Sequence, residues 1–191
     1  MPSTCAIDTV PLDIVESDLP TPDFILRLRE HVGHDLLWLS GVSVVVVDDD
    51  GRILLARRSD NGAWAVPAGI LEPGEQPGPA ALRELHEETG VTAELVRLAA
   101  VDVTPEITYP NGDRTQYLGL CFLARYVGGV AHPADDENSE VGWFAPDDLP
   151  AGLAPTSADR IAQALREDPE AWFAGREPCR PDDTGGASHG R

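Results

Sequence analysis

The chain has 191 residues and a formal net charge of −19, because 33 acidic residues stand against 14 basic ones, all of them arginine. This balance argues against long nucleic acids and anionic membrane surfaces as partners, and a small polyanion would be repelled too unless divalent cations invert the local charge. With this length and 42% hydrophobic residues, we expect one globular domain with its own core.

The two ends of the chain have compositions that differ from the middle. Residues 1–20 are polar and rich in turn formers, which predicts a flexible N-terminal arm, and residues 173–191 predict a disordered C-terminal tail. No signal peptide, membrane span, disulfide framework or zinc knuckle is readable in the sequence. We therefore expect a cytoplasmic protein whose single domain covers residues 21–172.

Hydrophobic periodicity and turn residues predict a series of helices and strands within that domain. The first helix has apolar residues at helical spacing, with Thr21 or Asp23 as its cap. Asp-Asp-Asp-Gly at 48–51 predicts a hairpin turn, and Gly90 suits the left-handed position that ends a helix. In chain order the predicted elements are a helix at 22–33, strands at 42–47, 52–58 and 64–66, a loop at 69–78, a helix at 79–89, strands at 92–104 and 114–126, an acidic loop at 135–140, a strand at 141–144 and a helix at 157–167. This order predicts an α/β or α+β fold with a mixed sheet flanked by helices.

The second predicted helix carries three glutamates on one face. Glu84, Glu87 and Glu88 stand at positions i, i+3 and i+4, which share a side of a helix. Their repulsion is tolerated when a divalent cation lies between them, and oxygen ligands suit Mg²⁺ or Mn²⁺ rather than zinc. Arg83 is placed to orient a carboxylate from the preceding loop, and Glu75 is the candidate. Taken alone, such a cluster is most often a solvated charged face.

The wider spacing around these glutamates favours a functional interpretation. The chain matches each defined position of the box G-x5-E-x7-R-E-U-x-E-E-x-G-U, where U is a bulky aliphatic residue. The matching residues are Gly69, then Glu75 after five residues, and after seven more residues Arg83-Glu84-Leu85-His86-Glu87-Glu88-Thr89-Gly90-Val91. On these residues the chain resembles the Nudix hydrolase family, and the flanking predicted strands extend the resemblance over about 39–149. Ala68 stands where many members of the family have glycine.

The resemblance implies a Nudix fold, which is a mixed β-sheet sandwiched between helices with the box as a loop–helix–loop. It also implies hydrolysis of a diphosphate linked to another moiety, with Mg²⁺ or Mn²⁺ as cofactor. By motif position, the three glutamates of the helix bind the metal together with the carbonyl of Gly69. Glu75 and Arg83 are implied to hold the box together.

A general base is also expected near the box, because the attacking water must lose a proton to a carboxylate. Glu84 is one candidate within the box. In other members of the family a glutamate from a later loop does this, so Glu137 or Glu140 is a candidate for the base or for a fourth metal ligand. The alternative for both is an acidic loop in solvent.

The substrate is less well determined by the sequence. Arg57 and Arg58 lie at the end of a strand facing the box and are candidates for binding a substrate phosphate. Tyr109 and Trp38 are candidates for stacking on a base, although a core position is the more common expectation for Trp38. ADP-ribose, dinucleoside polyphosphates and nucleoside triphosphates all remain open, because Pro105 and Tyr109 lie near spacings typical of different subfamilies.

Two functions of different classes remain at this point. The intact box favours a metal-dependent pyrophosphohydrolase that cleaves a nucleoside diphosphate linked to another moiety. The alternative is a catalytically silent module with the Nudix fold that binds nucleotides or regulates a partner. We expect a small nucleotide as the partner, with no long nucleic acid and no membrane. A homodimer through the first and last helices is possible in principle, with packing inside the chain as the simpler expectation.

Overall fold

The computed structural model describes residues 21–174, which form one mixed sheet with helices on both of its faces. The elements are α1 Asp23–Val32, β1 Leu37–Val47, β2 Ile53–Arg58, β3 Trp64–Ala65, β4 Ala68–Ile70, α2 Pro77–Thr89, β5 Val91–Val103, β6 Ile107–Thr108, β7 Arg114–Gly129, β8 Asn138–Phe144, α3 Pro155–Ala164 and β9 Trp172–Phe173. The predicted N-terminal arm and all but the first two residues of the predicted tail lie outside the described residues. No helix within 21–174 is long and apolar enough to cross a membrane.

β1 lies at the centre of the sheet. It pairs in parallel with β7, from Leu37 opposite Thr115 to Val47 opposite Arg125, and antiparallel with β2 and β4. The sheet order is β3-β2-β1-β7-β5-β9, and β4, β6 and β8 pair with β1, β7 and β2. Parallel and antiparallel pairs therefore coexist, which confirms the predicted mixed sheet.

Alternate residues of β1 point into two hydrophobic cores on opposite faces of the sheet, as the period of a strand requires. Val44 and Val46 pack in one core with Leu85 of α2. Val45 packs in the other core with Ile161 of α3. Full burial of one such aliphatic side chain is worth about 1.5–3 kcal/mol. These contacts fix α2 to one face of the sheet and thereby fix where its glutamates lie.

The structure corrects several predicted boundaries in the N-terminal half. β1 begins at Leu37 rather than at 42, and α2 begins at Pro77 rather than at 79. β4 lies in the segment predicted to be loop, because a three-residue strand that pairs with β1 is too short to show a period. The N-cap of α1 is Pro22, without a side-chain hydrogen bond, so the prediction that Thr21 or Asp23 caps this helix is wrong.

Further corrections concern the C-terminal half. α3 covers Pro155–Ala164 rather than 157–167. Glu140 lies inside β8 and not in a loop, since the strand begins at Asn138 where it pairs with Arg58 of β2. Phe173 belongs to β9, which pairs in parallel with β5, so the sheet extends one residue into the segment predicted as the tail.

The turn between β1 and β2 is built around Asp48. Its Oδ1 accepts hydrogen bonds from the backbone N–H of Asp50 (3.0 Å) and of Arg52 (2.8 Å), and its Oδ2 lies 2.7 Å from Arg52 Nη2. Gly51 provides the positive φ of 77° in this turn. Burial raises the pKa of Asp48, but the hydrogen bonds from Arg52 outweigh it and hold the pKa below its usual value.

We expect Asp48→Asn to lower the free energy of unfolding by about 1 kcal/mol at neutral pH, because it weakens charge-assisted hydrogen bonds. The depressed folded-state pKa means that this stabilisation is present above the pKa of the unfolded chain and is lost as the pH falls through the folded-state value. The stabilities of variant and wild type should therefore converge below the ordinary aspartate pKa of about 3.9. Denaturant titrations across that range measure this, with the exposed Asp49 changed to Asn as the control. If the difference in free energy of unfolding between Asp48→Asn and the wild type stayed the same at low pH, the stabilisation would not come from the charge of Asp48.

Candidate active site

α2 is positioned by its two ends and by its buried side. Pro77 takes the first helical position, where its missing N–H costs nothing. Gly90 adopts the left-handed conformation, with φ 67° and ψ 5°, and its N–H donates to the carbonyl of His86, as predicted. Leu85 and Ala81 are buried against the sheet. The glutamates on the adjoining side of the helix therefore lie against β4.

Glu88 is the most buried of these glutamates, with 7% of the residue exposed. Its Oε1 accepts a hydrogen bond from the backbone N–H of Ala68 (3.0 Å), and its Oε2 lies 3.5 Å from the amide nitrogen of Asn138. Burial, together with the nearby charges of Glu84 and Glu137, raises the pKa of Glu88 to about 8, and the hydrogen bond from Ala68 opposes this rise. A buried, hydrogen-bonded carboxylate among like charges is unlike a solvated helix face.

Glu84 packs directly on the backbone of Gly69. A Cβ atom added at Gly69 would clash with the carboxylate of Glu84, so a larger residue there would displace this carboxylate from its present position. Burial raises the pKa of Glu84, and Arg83 opposes that rise. Gly69 does not have a positive φ, so its role here is to leave room for the carboxylate of Glu84.

Arg83 links the loop before α2 to two glutamates of the helix. Its Nε and Nη2 donate to the two carboxylate oxygens of Glu75 at 2.9 and 3.0 Å, in the bidentate geometry that suits a guanidinium. Its Nη1 lies 3.0 Å from Glu84 and 2.8 Å from Glu87. The hydrogen bond from Arg83 lowers the pKa of Glu75 despite partial burial. The contact predicted between Arg83 and Glu75 is therefore present.

The two glutamates of the predicted acidic loop lie in different places. Glu137 is half-buried close to the helix glutamates. Burial raises the pKa of Glu137 most, the charge of Asp135 raises it as well, and Arg58 opposes the rise. The backbone N–H of Glu137 donates to Asp135 Oδ1 (3.0 Å), and its carbonyl accepts from Ser59 N–H (2.8 Å). Glu140 instead binds Arg57, with 2.6 Å between its Oε1 and Arg57 Nη1, on the exposed side of the β2–β8 pair.

The two neighbouring arginines of β2 also have different partners. Arg57 is held by Glu140 and by the carbonyl of Gly62 (3.1 Å). Arg58 donates to both carboxylate oxygens of Asp60 at 2.9 and 2.6 Å. It also interacts electrostatically with Glu88 and Glu137. Burial lowers the pKa of Arg58, but the bonds to Asp60 and these negative charges raise it overall. Only Arg58 of the pair therefore faces the acidic cluster.

The two aromatic candidates lie at the start of β1 and in the turn before β7, which pairs with β1. The hydroxyl of Tyr109 lies 3.2 Å from that of Tyr117, in the turn between β6 and β7. Trp38 is 56% exposed, so the expectation of a core position is wrong. This residue is near the start of β1, where the next layer is α1 rather than α2, and that arrangement could not be read from the strand itself.

The chemistry of the donors fits a hard divalent cation. Glu84, Glu87, Glu88 and Glu137 offer only carboxylate oxygens, the preferred ligands of Mg²⁺. Within 21–174, no three His, Cys, Asp or Glu side chains already surround a common point closely enough to hold an ion, and Arg83 binds two of the carboxylates instead. The side chain of Glu87 is 54% exposed, so it can rotate from Arg83 towards the other carboxylates without moving packed atoms.

Sequence reasoning missed two polar residues of this region. Asn138 is buried between Glu88 and Asp135, with its amide nitrogen 3.4 Å from Asp135 Oδ1. Asp60 is almost fully buried beside Arg58. The only signal for them was their position next to Glu137 and Arg58, because a polar residue in a turn is usually exposed.

Comparison with known proteins identifies a family for most of the chain. The NUDIX domain family model matches residues 38–165. A MutT-like protein of Streptomyces ambofaciens is 39% identical over 129 residues, which cover 66% of this chain and 78% of that protein. An RNA pyrophosphohydrolase of Erythrobacter litoralis is 32% identical over 151 residues, which cover 70% of this chain and 92% of that protein.

Solved structures show the same architecture. The crystal structure of a MutT NUDIX hydrolase from Burkholderia pseudomallei is similar with a TM-score of 0.57 and 30% identity, over 66% of this chain and 98% of that one. An ADP-ribose pyrophosphatase from Streptococcus suis, at 23% identity and a TM-score of 0.55 over 70% of this chain and 96% of that one, shares the fold. The predicted sheet between helices is thereby confirmed. α1 precedes the segment that the family model matches.

Proposed function

Because the chain belongs to the Nudix hydrolase family and is a hydrolase of phosphoric anhydride bonds, we propose that it cleaves a nucleoside diphosphate linked to another moiety. The observation that carries this proposal is the buried carboxylate of Glu88, packed beside Glu84 and in the field of Glu137. Burying like charges together costs stability. Such an arrangement supports a charge-binding site rather than a solvated helix face.

Nudix hydrolases generally need a divalent metal, and we assign Mg²⁺ or Mn²⁺ to Glu84, Glu87 and Glu88 with the carbonyl of Gly69. When bound there, the cation supplies neutralisation of the diphosphate charge and lowers the pKa of a water. Arg83 and Glu75 hold the loop against the helix that carries the three glutamates.

The remaining residues of the site have roles in binding phosphate and accepting a proton. Arg58, fixed by Asp60, is the arginine that faces the cluster, and we assign it to a substrate phosphate. Glu137 is favoured over Glu140 as the proton acceptor or a further ligand, because Glu137 lies with the helix glutamates whereas Glu140 is paired with Arg57.

We assign a small nucleotide as the substrate. The charge of −19 disfavours a long polyanion, but several relatives are named RNA pyrophosphohydrolases. RNA carrying a 5′-triphosphate is therefore a necessary control. A cytoplasmic location and a homodimer stay predictions.

A substrate panel tests the proposed function. It contains ADP-ribose, diadenosine polyphosphates, sugar nucleotides, oxidised and ordinary dNTPs and a triphosphate-ended RNA, each assayed with Mg²⁺, with Mn²⁺ and with excess EDTA. We expect turnover of at least one small nucleotide, its loss with EDTA and its recovery when Mg²⁺ is restored. Chromatography of the products identifies the anhydride bond that breaks. Binding of nucleotides without metal-dependent turnover of any of them would favour the silent module instead.

A further inference from the structure

A cavity of about 840 Å³, largely open to solvent, lies between α1, the start of β1 and the loop at 71–75. Its volume falls within the roughly 300–1,000 Å³ of sites that bind small molecules. One of its walls, α1, lies before the residues that the family model matches, 38–165. The cavity is therefore formed partly by a helix that the shared domain does not include.

The lining of this cavity suits a flat organic group. Trp38 is a large aromatic side chain that is 56% exposed, and it lines the cavity together with Phe24 and Leu28 of α1. Arg27 and His31 of the same helix add polar groups. Aromatic and apolar walls with a few polar groups are typical of sites that hold the organic part of a ligand.

α1 is held in place by contacts that do not involve the cavity. Ile25 is buried, with 4% exposed. Arg29 donates to the carbonyls of Gly33 (3.0 Å) and Asp35 (2.6 Å) directly after the helix. It also donates to the carbonyl of Arg114 (2.8 Å), which ties the helix to the beginning of β7. The wall opposite the loop is thus a fixed part of the structure.

The cavity is connected to the glutamate helix through Glu75. Glu75 lines the cavity, and both of its carboxylate oxygens are bound by Arg83, which also contacts Glu84 and Glu87. One ion pair therefore separates the cavity from the carboxylates to which we assign the metal and the diphosphate.

We propose that the cavity binds the heteroaromatic base of the nucleotide substrate, stacked on the indole of Trp38. This inference rests on the proposed function and makes α1 the element that selects the base. A base is the occupant because its π-face matches the exposed indole, and its ring nitrogens and exocyclic groups can pair with Arg27 and His31.

Steady-state kinetics on the substrate that the wild type hydrolyses test the proposal. Trp38→Ala should raise KM by about tenfold or more, since loss of base stacking has effects of that size. It should leave kcat nearly unchanged, because the stacking is the same in the ground and transition states. Trp38→Phe should recover most of the affinity. Phe173→Ala, which removes an exposed aromatic side chain from β9, is the control. An unchanged KM in Trp38→Ala overturns the proposal and leaves the proposed function intact.

A binding measurement tests the cavity independently of turnover. The four nucleoside monophosphates, which carry a base, and ribose 5-phosphate, which does not, are titrated in Mg²⁺ while tryptophan fluorescence is recorded. We expect at least one monophosphate, but not ribose 5-phosphate, to change the fluorescence of the wild type, and Trp38→Phe to lose that change. If the cavity is filled by residues before α1 instead, no monophosphate changes the fluorescence and the proposal is overturned. If the change persists in Trp38→Phe, the base binds elsewhere.

Discussion

Glu88→Gln should lower kcat/KM on the order of 10³-fold while the protein keeps its fold. The substitution keeps the shape of the side chain and an oxygen that can accept the hydrogen bond from Ala68 N–H (3.0 Å in the wild type). It removes the negative charge with which this position would hold a cation. A loss of about 4 kcal/mol of electrostatic stabilisation in the transition state corresponds to that factor. Initial rates of wild type and variant at several Mg²⁺ concentrations measure this loss in kcat/KM.

The thermal midpoint of the same variant separates catalysis from folding. Because burial and the neighbouring carboxylates raise the pKa of Glu88 to about 8, its side chain carries little charge at neutral pH without a cation. The neutral glutamine should therefore leave the midpoint in EDTA unchanged or raise it. Glu94→Gln makes the same chemical change at an exposed glutamate paired with Arg125 on the sheet, and its activity should equal that of the wild type. Unfolding of Glu88→Gln at ordinary temperature would mean that the cluster is structural.

The parts of the site that could be predicted are those fixed by local sequence. α2 follows from its proline start, its glycine end and the period of its apolar residues. The contact between Arg83 and Glu75 spans the end of one loop and nearly two turns of α2, so a motif with fixed spacing is enough to predict it. The mixed sheet follows from the order of strands and helices, and similarity to solved structures confirms it.

The parts that could not be predicted depend on pairing between distant segments. Arg57 and Arg58 are adjacent in the chain, and only the pairing of β2 with β8 decides that Arg57 meets Glu140. β4 and β9 are too short to show a period and form because a long strand lies beside each. Trp38 was expected in the core, but its exposure depends on how α1 sits beside the beginning of the sheet.

Glu137→Gln should lower kcat by about 10²-fold or more, the usual contribution of a positioned general base. The backbone of Glu137 is held by its N–H bond to Asp135 and by the bond from Ser59 N–H to its carbonyl. Its carboxylate lies close enough to Glu87 and Arg58 for their charges to act on it. Single-turnover rates at saturating substrate measure the chemical step without product release.

Glu140→Gln is the matched control, because the two glutamates are three residues apart in the same acidic segment. Its carboxylate is bound to Arg57 at an exposed position, where a salt bridge contributes at most about 1 kcal/mol of stability. We expect its kcat to be close to that of the wild type. The opposite pattern, with Glu140→Gln impaired and Glu137→Gln active, would contradict the placement of the base. Loss in both variants would mean that the whole segment moves when substrate binds, since the two side chains share no partner in this structure.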